Sequence, residues 1–402
     1  MLHFRMVKTI EEKLAILTQS AKYDVSCSSS GARSVGAIGA ASASGICHSF
    51  SADGRCVSLL KVLLTNVCIY DCAYCINRVS NEIPRATLKP RELATLTIEF
   101  YKRNYIEGLF LSSAVIKNPD FTMELILQTL QILRFEYNFG GYIHTKLIPG
   151  ADERLIEKVT LLASRVSSNI ELPSDRSLAL LAPGKTKSSV LAPLRQARNL
   201  ALNKGNEVPL MSTQLIIGAT PESDWEILRL SESLYQKALL KRVYYSAYIP
   251  VNDAKNLPSI HTAPPLLREH RLYQADWLLR FYGFSASELV DNNFPHLETK
   301  IDPKSTWALR NLNLFPVEIN TVSKEILLRI PGIGVRGAMA ILRARKFGAL
   351  SHQSLKELGI SLKRAQYFIT CKGKYLPKIP CEPEIIMRKL SPPKQLRLFE
   401  AS

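Results

Sequence analysis

The chain has 402 residues, 46% of them hydrophobic and 22% charged, which is enough for one large domain and one or two small ones. No apolar run approaches the ~18 residues of a membrane-spanning helix, so we expect no membrane partner. The net charge of +17 favours a polyanionic partner, and residues 301–402 carry most of it, with 18 Lys and Arg against 7 Asp and Glu.

Residues 1–55 are predicted to form an N-terminal helix followed by a flexible loop. The stretch MLHFRMVKTIEEKLAIL interrupts its apolar residues with charges, which favours an amphipathic helix over a signal peptide. Residues 26–46 are rich in Ser, Gly and Ala and have no period, which indicates a loop. Eight cysteines without a secretion signal indicate a reducing cytoplasm, where thiols bind metals or stay free.

Three cysteines follow the apolar run Val57–Leu64, which is predicted to be a buried strand. Cys68, Cys72 and Cys75 are separated by gaps of three and two residues and can converge on one soft metal centre. A tetrahedral zinc site takes four ligands, usually as two CxxC pairs, and no histidine lies in this loop. Three thiolates suit a [4Fe–4S] cluster with one open iron. The alternative is a set of buried apolar cysteines.

Three further cysteines, Cys27, Cys47 and Cys56, lie in or beside the flexible loop. They would either ligate a second, auxiliary iron–sulfur cluster or pack against the first cluster's loop. Their irregular gaps leave both alternatives open.

Residues 56–255 alternate short apolar runs with helical stretches. This alternation predicts parallel strands joined by helical crossovers, and six units make an open, TIM-like (β/α)6 partial barrel. Catalytic groups of such folds gather beyond the carboxyl ends of the strands, which makes polar residues there candidates for the site. The six runs are Val57–Leu64, Gly108–Ser113, Gly141–Lys146, Val166–Leu172, Thr213–Gly218 and Arg242–Ile249.

The stretch CIYDCAYC resembles the CxxxCxxC signature of radical S-adenosylmethionine (SAM) enzymes, including the aromatic residue, Tyr74, before the last cysteine. The resemblance implies a [4Fe–4S] cluster on Cys68, Cys72 and Cys75 whose open iron binds SAM. In that family, one-electron reduction cleaves SAM to a 5′-deoxyadenosyl radical. The family's core is a (β/α)6 partial barrel, in agreement with the count of apolar runs.

The resemblance also assigns cofactor contacts to the strand ends. Ser112 and Ser113 stand where the family usually has Gly-Gly-Glu near the methionyl amino group, although they also suit the capping of a turn. Lys146 is a cation suited to the SAM carboxylate, and Glu171 can accept from ribose hydroxyls. Gly218 lies in a stretch similar to the family's adenine-contacting GxIxGxxE motif.

The sixth run carries Tyr244 and Tyr248, which point to one face of a strand. They are candidates for lining the cavity, with core packing as the alternative. The sequence assigns no catalytic residue.

Residues 256–310 are predicted to be a helical linker. Within them, LLREHRLYQADWLLRFYGF interleaves arginines with aromatic residues. Such a helix either packs against the barrel or stacks on a strand of nucleic acid.

Residues 311–380 resemble a helix-hairpin-helix nucleic-acid-binding domain, and residues 381–402 are predicted to form a tail. A helix over Val322–Ile330 leads through PGIGVRGA into a second helix. Gly332 and Gly334 permit a tight turn that aims backbone N–H groups outward and makes a phosphate seat. The alternative is an ordinary αα-hairpin. Cations that can neutralise a phosphate backbone follow the turn: Arg336, Arg343, Arg345 and Lys346.

The combination of CIYDCAYCINR, EGLFLSS, REHRLYQADWLLRFYGF and the PGIG turn resembles a group of radical SAM proteins named for DNA modification or repair, over about residues 12–375. That resemblance implies a cytoplasmic enzyme with DNA as partner and an electron donor such as flavodoxin or ferredoxin. An RNA (tRNA)-modifying radical SAM enzyme is one alternative. A non-enzymatic DNA-binding protein with a structural iron–sulfur cluster is the other.

Overall fold

The computed structural model describes residues 8–23, 45–50, 55–204, 209–238 and 240–391. The chain divides into two compact units, the first running to Glu222 with the addition of Ser233–Leu266, and the second combining Ser223–Glu232 with the chain from Leu267 onward. Most of the predicted barrel segment falls in the first unit. The predicted domain boundaries themselves stay predictions.

A seven-stranded sheet organises the first unit, with its strands in chain order. β2 to β7 are all parallel, which confirms the six parallel strands of the predicted half-barrel. β1 was not predicted, and it pairs antiparallel with β2 and covers that edge. The strands are β1 Ile46–Phe50, β2 Cys56–Leu63, β3 Gly108–Ser112, β4 Tyr142–Lys146, β5 Arg165–Ser167, β6 Leu210–Ile217 and β7 Arg242–Ala247.

Helices precede or follow these strands, and their ends carry ordinary start signals. Pro90 and Pro119 open α2 and α3, while Asn118, Asp152 and Ser174 cap α3, α4 and α5 through their side chains. A π-helical turn, Ile132–Glu136, extends α3. The helices are α1 Ile10–Ser20, α2 Pro90–Lys102, α3 Pro119–Gln131, α4 Glu153–Leu162, α5 Asp175–Leu181, α6 Lys187–Lys204 and α7 Asp224–Lys237.

The two faces of the parallel sheet differ sharply in character. One face is apolar and buried, as at Leu60, Leu109 and Ile143, which suits cover by crossover helices. Residues paired across a parallel ladder share a face, so the register places the polar side chains together on the opposite, concave side. This polar face of the sheet includes Lys61, Ser112, Tyr142, His144, Lys146, Arg165, Ser167, Ser212, Gln214, Arg242 and Tyr244.

β5 ends at Ser167, earlier than the predicted run to Leu172. Beyond it, the Thr213 hydroxyl accepts from the Ile170 N–H at 3.1 Å and donates to the Ser168 carbonyl at 2.8 Å. The Thr213 side chain therefore takes the place of regular backbone pairing between the strands at this point.

The second unit is mainly helical but not all-α as predicted. Strands β8 Val317–Glu318, β9 Ile369–Cys371 and β10 Lys374–Tyr375 form a small sheet in the order β10-β9-β8. The all-α prediction was therefore wrong. These strands were not predicted because segments this short show no period in the sequence. The helices are α8 Leu266–Phe281, α9 Ala286–Leu289, α10 Pro303–Arg310, α11 Lys324–Arg329, α12 Val335–Ala344, α13 His352–Glu357, α14 Leu362–Ala365 and α15 Pro383–Leu390. Among the described residues, no helix is long and apolar enough to span a bilayer.

Candidate functional site

The three predicted metal ligands lie on the loop that leaves β2. Cys72 is buried, and Cys68 and Cys75 are partly buried. The N–H of Tyr70 donates to the sulfur of Cys68 and that of Asn77 to the sulfur of Cys75, each at 3.4 Å. Backbone donors aimed at sulfur stabilise negative charge there, as thiolate ligands of an iron–sulfur cluster need.

The cysteine loop is fixed to its neighbours by backbone hydrogen bonds. The Ile69 N–H donates to the carbonyl of Val115, which follows β3, at 2.8 Å. The Ala73 N–H donates to the carbonyl of Leu181, at the end of α5, at 2.7 Å. Asn252, in the segment after β7, donates its amide to the carbonyls of Ala73 at 2.7 Å and Cys75 at 3.0 Å. Both edges of the half-barrel therefore hold the loop in place.

One arginine braces the remainder of the loop from within. The Arg85 guanidinium donates to four backbone carbonyls at 2.6 to 2.9 Å, those of Asn66, Asn77, Arg78 and Asn81. Sequence reasoning missed Arg85 and Asn252, because neither belongs to a local motif. Their partners become neighbours only through the fold.

A second brace pairs Arg78 with Asp71. The guanidinium binds both carboxylate oxygens, at 2.8 and 2.9 Å. Hydrogen bonds from Arg78 and Ser80 lower the pKa of Asp71 to about 2, so its charge persists at neutral pH.

A buried ion pair lies beside the cysteines. Lys185 Nζ is 3.8 Å from a carboxylate oxygen of Glu171, and both side chains are less than one fifth exposed. Burial alone would lower the pKa of Lys185, but Glu171 and the three cysteines raise it above its ordinary value. Lys185 is therefore a buried cation close enough to act on all three cysteines.

Two of the three cysteines resist ionisation because they are buried. Burial raises the pKa of the Cys72 thiol and raises that of Cys75 to about 12. A bound iron cation would compensate this cost and displace the protons, which is the usual linkage of metal binding to thiol ionisation.

The described residues contain no group of three His, Cys, Asp or Glu side chains gathered to hold a metal ion. A [4Fe–4S] cluster spreads its ligands, since each cysteine binds a different iron. The braced loop, the sulfur-directed N–H groups and Lys185 fit a cluster of that kind.

The cysteines assigned to an auxiliary cluster do not converge. Cys47 pairs with Leu59, which is three residues from Cys56 on β2, so the two sulfurs leave opposite faces of the sheet. Cys47 packs against Val57, Leu59 and Phe110, whereas Cys56 is exposed. Cys27 lies outside the described residues, and the second cluster stays a prediction without support from this register.

Three of the predicted SAM contacts lie at the ends of β3 and β4. Ser112 and Lys146 are 3% and 8% exposed and belong to the polar face of the sheet. Ser113 donates its hydroxyl to the Ala114 carbonyl at 2.6 Å, in keeping with the turn role left open for it. The register thus places Ser112 and Lys146 on one face of the sheet. Ser113 instead makes a hydrogen bond to the residue that follows it.

Two other predicted contacts adopt left-handed backbone conformations. Glu171 has φ +67°, which costs a non-glycine residue about 1 kcal/mol or more and points to a functional position. Gly218 has φ +86°, and a Cβ there would lie 2.7 Å from the Pro265 ring. Its glycine is therefore required by the backbone and by Pro265, and its adenine contact stays a prediction.

The predicted tyrosines occupy distinct environments. Tyr248 packs in a buried cluster with Cys72, and Tyr74 packs against the same cluster. Neither hydroxyl makes a hydrogen bond of ordinary geometry among the described residues, although that of Tyr74 lies near the Cys72 thiol and that of Tyr248 near the backbone of Val251. Tyr244 accepts from Arg165 on the polar face at 3.2 Å. The two unpartnered hydroxyls make Tyr74 and Tyr248 suited to contact a bound molecule beside the cysteines.

The polar face of the sheet carries a concentration of positive charge. Lys61, Lys146, Arg165 and Arg242 lie on it, and its strand residues include no Asp or Glu within the described β2 to β7. Burial, together with Arg165, Lys146 and Lys61, lowers the pKa of His144 well below its ordinary value. This neutral histidine accompanies cations that suit a negatively charged substrate.

In the second unit, α11 and α12 flank the predicted glycine turn. Gly332 has φ +85°, and Gly334 is the N-cap of α12. Two helices therefore lie on either side of the turn, whereas the helix-hairpin-helix domain and its binding of nucleic acid stay predictions. Of the predicted cations, Arg336, Arg343 and Lys346 are exposed.

Arg345 has a different role from the other cations of α12. Its guanidinium donates to the carbonyls of Ile319 and Val322 at 3.2 and 2.7 Å. It therefore supports the chain before α11, whereas its basic neighbours had led us to predict that it neutralises phosphate.

No protein-family model matches the chain, and no curated protein matches it. Solved structures similar to 54% of it include HydG, a maturase of the [FeFe]-hydrogenase, at 15% identity, TM-score 0.40 and 48% of that chain. Methylornithine synthase PylB shares 16% sequence identity with a TM-score of 0.42, and 60% of that chain is covered. HydG from Carboxydothermus hydrogenoformans shares 15% identity with a TM-score of 0.41, and 50% of that chain is covered. The chain thus spans about half to three fifths of their length. At these values the similarity says nothing about its activity.

Proposed function

We propose that this chain is a radical SAM enzyme that acts on DNA. The observation that carries the proposal is the braced loop of Cys68, Cys72 and Cys75 at the carboxyl end of the first parallel strand. A loop held from both edges of a half-barrel keeps three sulfurs near one point while leaving a fourth coordination position to another ligand.

The cofactors implied are a [4Fe–4S] cluster and SAM. When bound to the open iron and reduced by one electron, SAM supplies a 5′-deoxyadenosyl radical. Glu171 is suited to accept from hydroxyl groups and Lys146 to bind a carboxylate, and Ser112 lies on the same face as Lys146. The Tyr74 hydroxyl beside Cys72 is a further donor. Flavodoxin or ferredoxin would suit the electron requirement.

A polyanionic substrate is supported by charge at two places. The polar face of the sheet carries Lys146 and Arg165, and the second unit carries Arg336, Arg343 and Lys346 around its glycine turn. Contacts of this kind neutralise phosphates without reading base sequence. A base in a duplex must be exposed before a radical reaches it, so a damaged or flipped nucleotide is the natural target, for repair or for modification.

The test is 5′-deoxyadenosine formation by anaerobically reconstituted, reduced protein given SAM and a panel of intact and damaged DNA. The proposal expects turnover that one class of DNA stimulates and that Cys68→Ser, Cys72→Ser or Cys75→Ser abolishes. Stimulation by RNA alone, compared at fixed salt, would favour the RNA-modifying alternative. A protein that retains iron but cleaves no SAM on any substrate would contradict the proposed enzymatic activity and favour a structural role for the cluster.

A further inference from the structure

The glycine turn of the second unit opens onto a cavity of about 340 Å³. The Arg- and aromatic-rich helix α8, the start of α10 and the turn before α12 meet around it, although they lie far apart in the sequence. Its size is at the lower end of pockets for small ligands and suits one nucleotide, not a duplex. Its principal lining residues are Trp277, Tyr282, Lys304, Gly332, Gly334 and Arg364.

Lys304 places a buried positive charge in the wall of this cavity. It is only 7% exposed, and its Nζ donates to the Ile333 carbonyl at 2.6 Å and lies 4.7 Å from the Tyr282 ring centre. Among the described residues no carboxylate lies within ion-pair distance of it; Asp302 is near enough to act on its charge but pairs with Arg364 at 3.2 Å. A buried ammonium with one carbonyl acceptor is costly, and a bound anion would offset that cost.

The turn adds backbone donors beside Lys304. Gly334 caps α12 without a side-chain hydrogen bond, so the first turn of this ten-residue helix keeps N–H groups for an external acceptor. Burial lowers the pKa of Lys304 to about 7, and an anion at this position would restore its charge. The buried cation and the helix start thus favour the same kind of ligand.

An aromatic wall completes the cavity. Trp277 is 50% exposed, and its ring lies 4.4 Å from that of Phe281. The Tyr282 hydroxyl lies 3.3 Å from the position that a Cβ would take on Gly334. A half-exposed indole next to phosphate donors is the arrangement on which a base stacks while its phosphate is held.

We propose that this cavity binds one nucleoside phosphate, with the base on Trp277 and the phosphate between Lys304 and the Gly332–Gly334 turn. The ligand is either a free nucleotide or a nucleotide splayed out of a DNA strand. This deepens the nucleic-acid part of the proposed function, and it is independent of the cysteine site.

The test titrates the full chain with deoxyadenosine monophosphate, deoxyadenosine, inorganic phosphate and a DNA oligonucleotide. We expect the monophosphate to bind at least tenfold more tightly than deoxyadenosine. Lys304→Met should weaken monophosphate binding at least tenfold while raising the melting temperature, since it removes a buried charge without changing the shape much. Trp277→Ala should weaken monophosphate binding and leave phosphate binding unchanged. Exposed Arg103→Gln, which removes one positive charge outside the cavity lining, is the matched control and should leave monophosphate binding unchanged.

The outcomes separate this proposal from the proposed function. Equal monophosphate affinity in the wild type and Lys304→Met, or a lowered melting temperature with unchanged affinity, would assign Lys304 a purely structural role and overturn the cavity. DNA binding without any monophosphate binding would overturn the cavity and leave the proposed function standing. Competition between the monophosphate and the oligonucleotide identifies a strand nucleotide as the ligand, whereas independent binding identifies a free nucleotide.

Discussion

Individual side chains around the cysteine loop divide into those that hold it and those suited to contact a ligand. Arg85 and Asn252 hold it, because their hydrogen bonds end on backbone carbonyls. The Tyr74 hydroxyl satisfies no described partner, although burial of an unpaired hydroxyl is unfavourable. This division gives opposite expectations for substitutions of the two kinds.

For the bracing group we expect Arg85→Lys to lower stability by about 1–3 kcal/mol, because an ammonium cannot serve four carbonyls in the fork geometry of a guanidinium. Iron content after reconstitution should fall with it. Thermal unfolding and iron analysis measure both, with the exposed Arg103→Lys as the control. Wild-type iron content in Arg85→Lys would contradict the bracing role.

For the ligand-facing group we expect Tyr74→Phe to leave stability unchanged or slightly raised, since it removes an unpaired hydroxyl. SAM affinity should fall about fivefold, the value of one hydrogen bond of ~1 kcal/mol. Equilibrium binding to the reconstituted protein measures it, with exposed Tyr105→Phe as the control. An unchanged affinity would leave Tyr74 a packing residue.

Among the elements, the short strands of the second unit depend on one carboxylate. Glu318 on β8 accepts from Thr370 on β9 and from the N–H groups of Lys372 and Gly373 in the turn to β10. A two-residue strand has little ladder of its own, so these bonds fix the position of β8. The same unit contains the glycine turn. In α12, which follows the turn, Arg343 is exposed, whereas Arg345 donates to backbone carbonyls.

Glu318→Gln should therefore destabilise the protein by about 1 kcal/mol at pH 7, because a neutral amide offers one acceptor oxygen in place of the two charged oxygens of the carboxylate. Burial alone would raise the pKa of Glu318, but hydrogen bonds from Gly373 and Asn320 lower it to about 2. A lowered pKa contributes stability above the ordinary pKa of 4.5 that disappears as pH falls toward about 2. Unfolding of wild type and variant should accordingly converge over that range. A difference independent of pH would contradict this account.

The neighbouring cations of α12 should respond differently to the same substitution. Arg343→Gln should reduce DNA affinity and lower the salt dependence by about one ion, without loss of stability. Arg345→Gln should lower the melting temperature, because its guanidinium holds two carbonyls. Binding at several salt concentrations and thermal unfolding distinguish them. Identical behaviour of the two variants would contradict the assignment.

For the molecule as a whole, the sequence determined the architecture more fully than the site. Six apolar runs predicted six parallel strands, since such strands are buried on both faces and leave continuous apolar stretches. β1 escaped prediction because its Ile46–Phe50 segment adjoins a Ser-rich stretch without alternation.

The site was predictable where a motif is local and not where the fold assembles it. Cys68, Cys72 and Cys75 are recognisable from their spacing alone. Asn252 lies more than one hundred residues along the chain from the loop it holds, and a single asparagine in a loop carries no signal. The charge of the polar face likewise became evident only from the register, because Lys61 and Arg165 lie on different strands.

The most direct measurement of the central claim is electron paramagnetic resonance of the anaerobically reconstituted, reduced protein before and after addition of SAM. The account predicts a reduced cluster signal that shifts when SAM binds, and loss of that signal in Cys72→Ser. A cluster signal that SAM leaves unchanged would mean that no iron is open to the cofactor, and would contradict the assignment of this chain as a radical SAM enzyme.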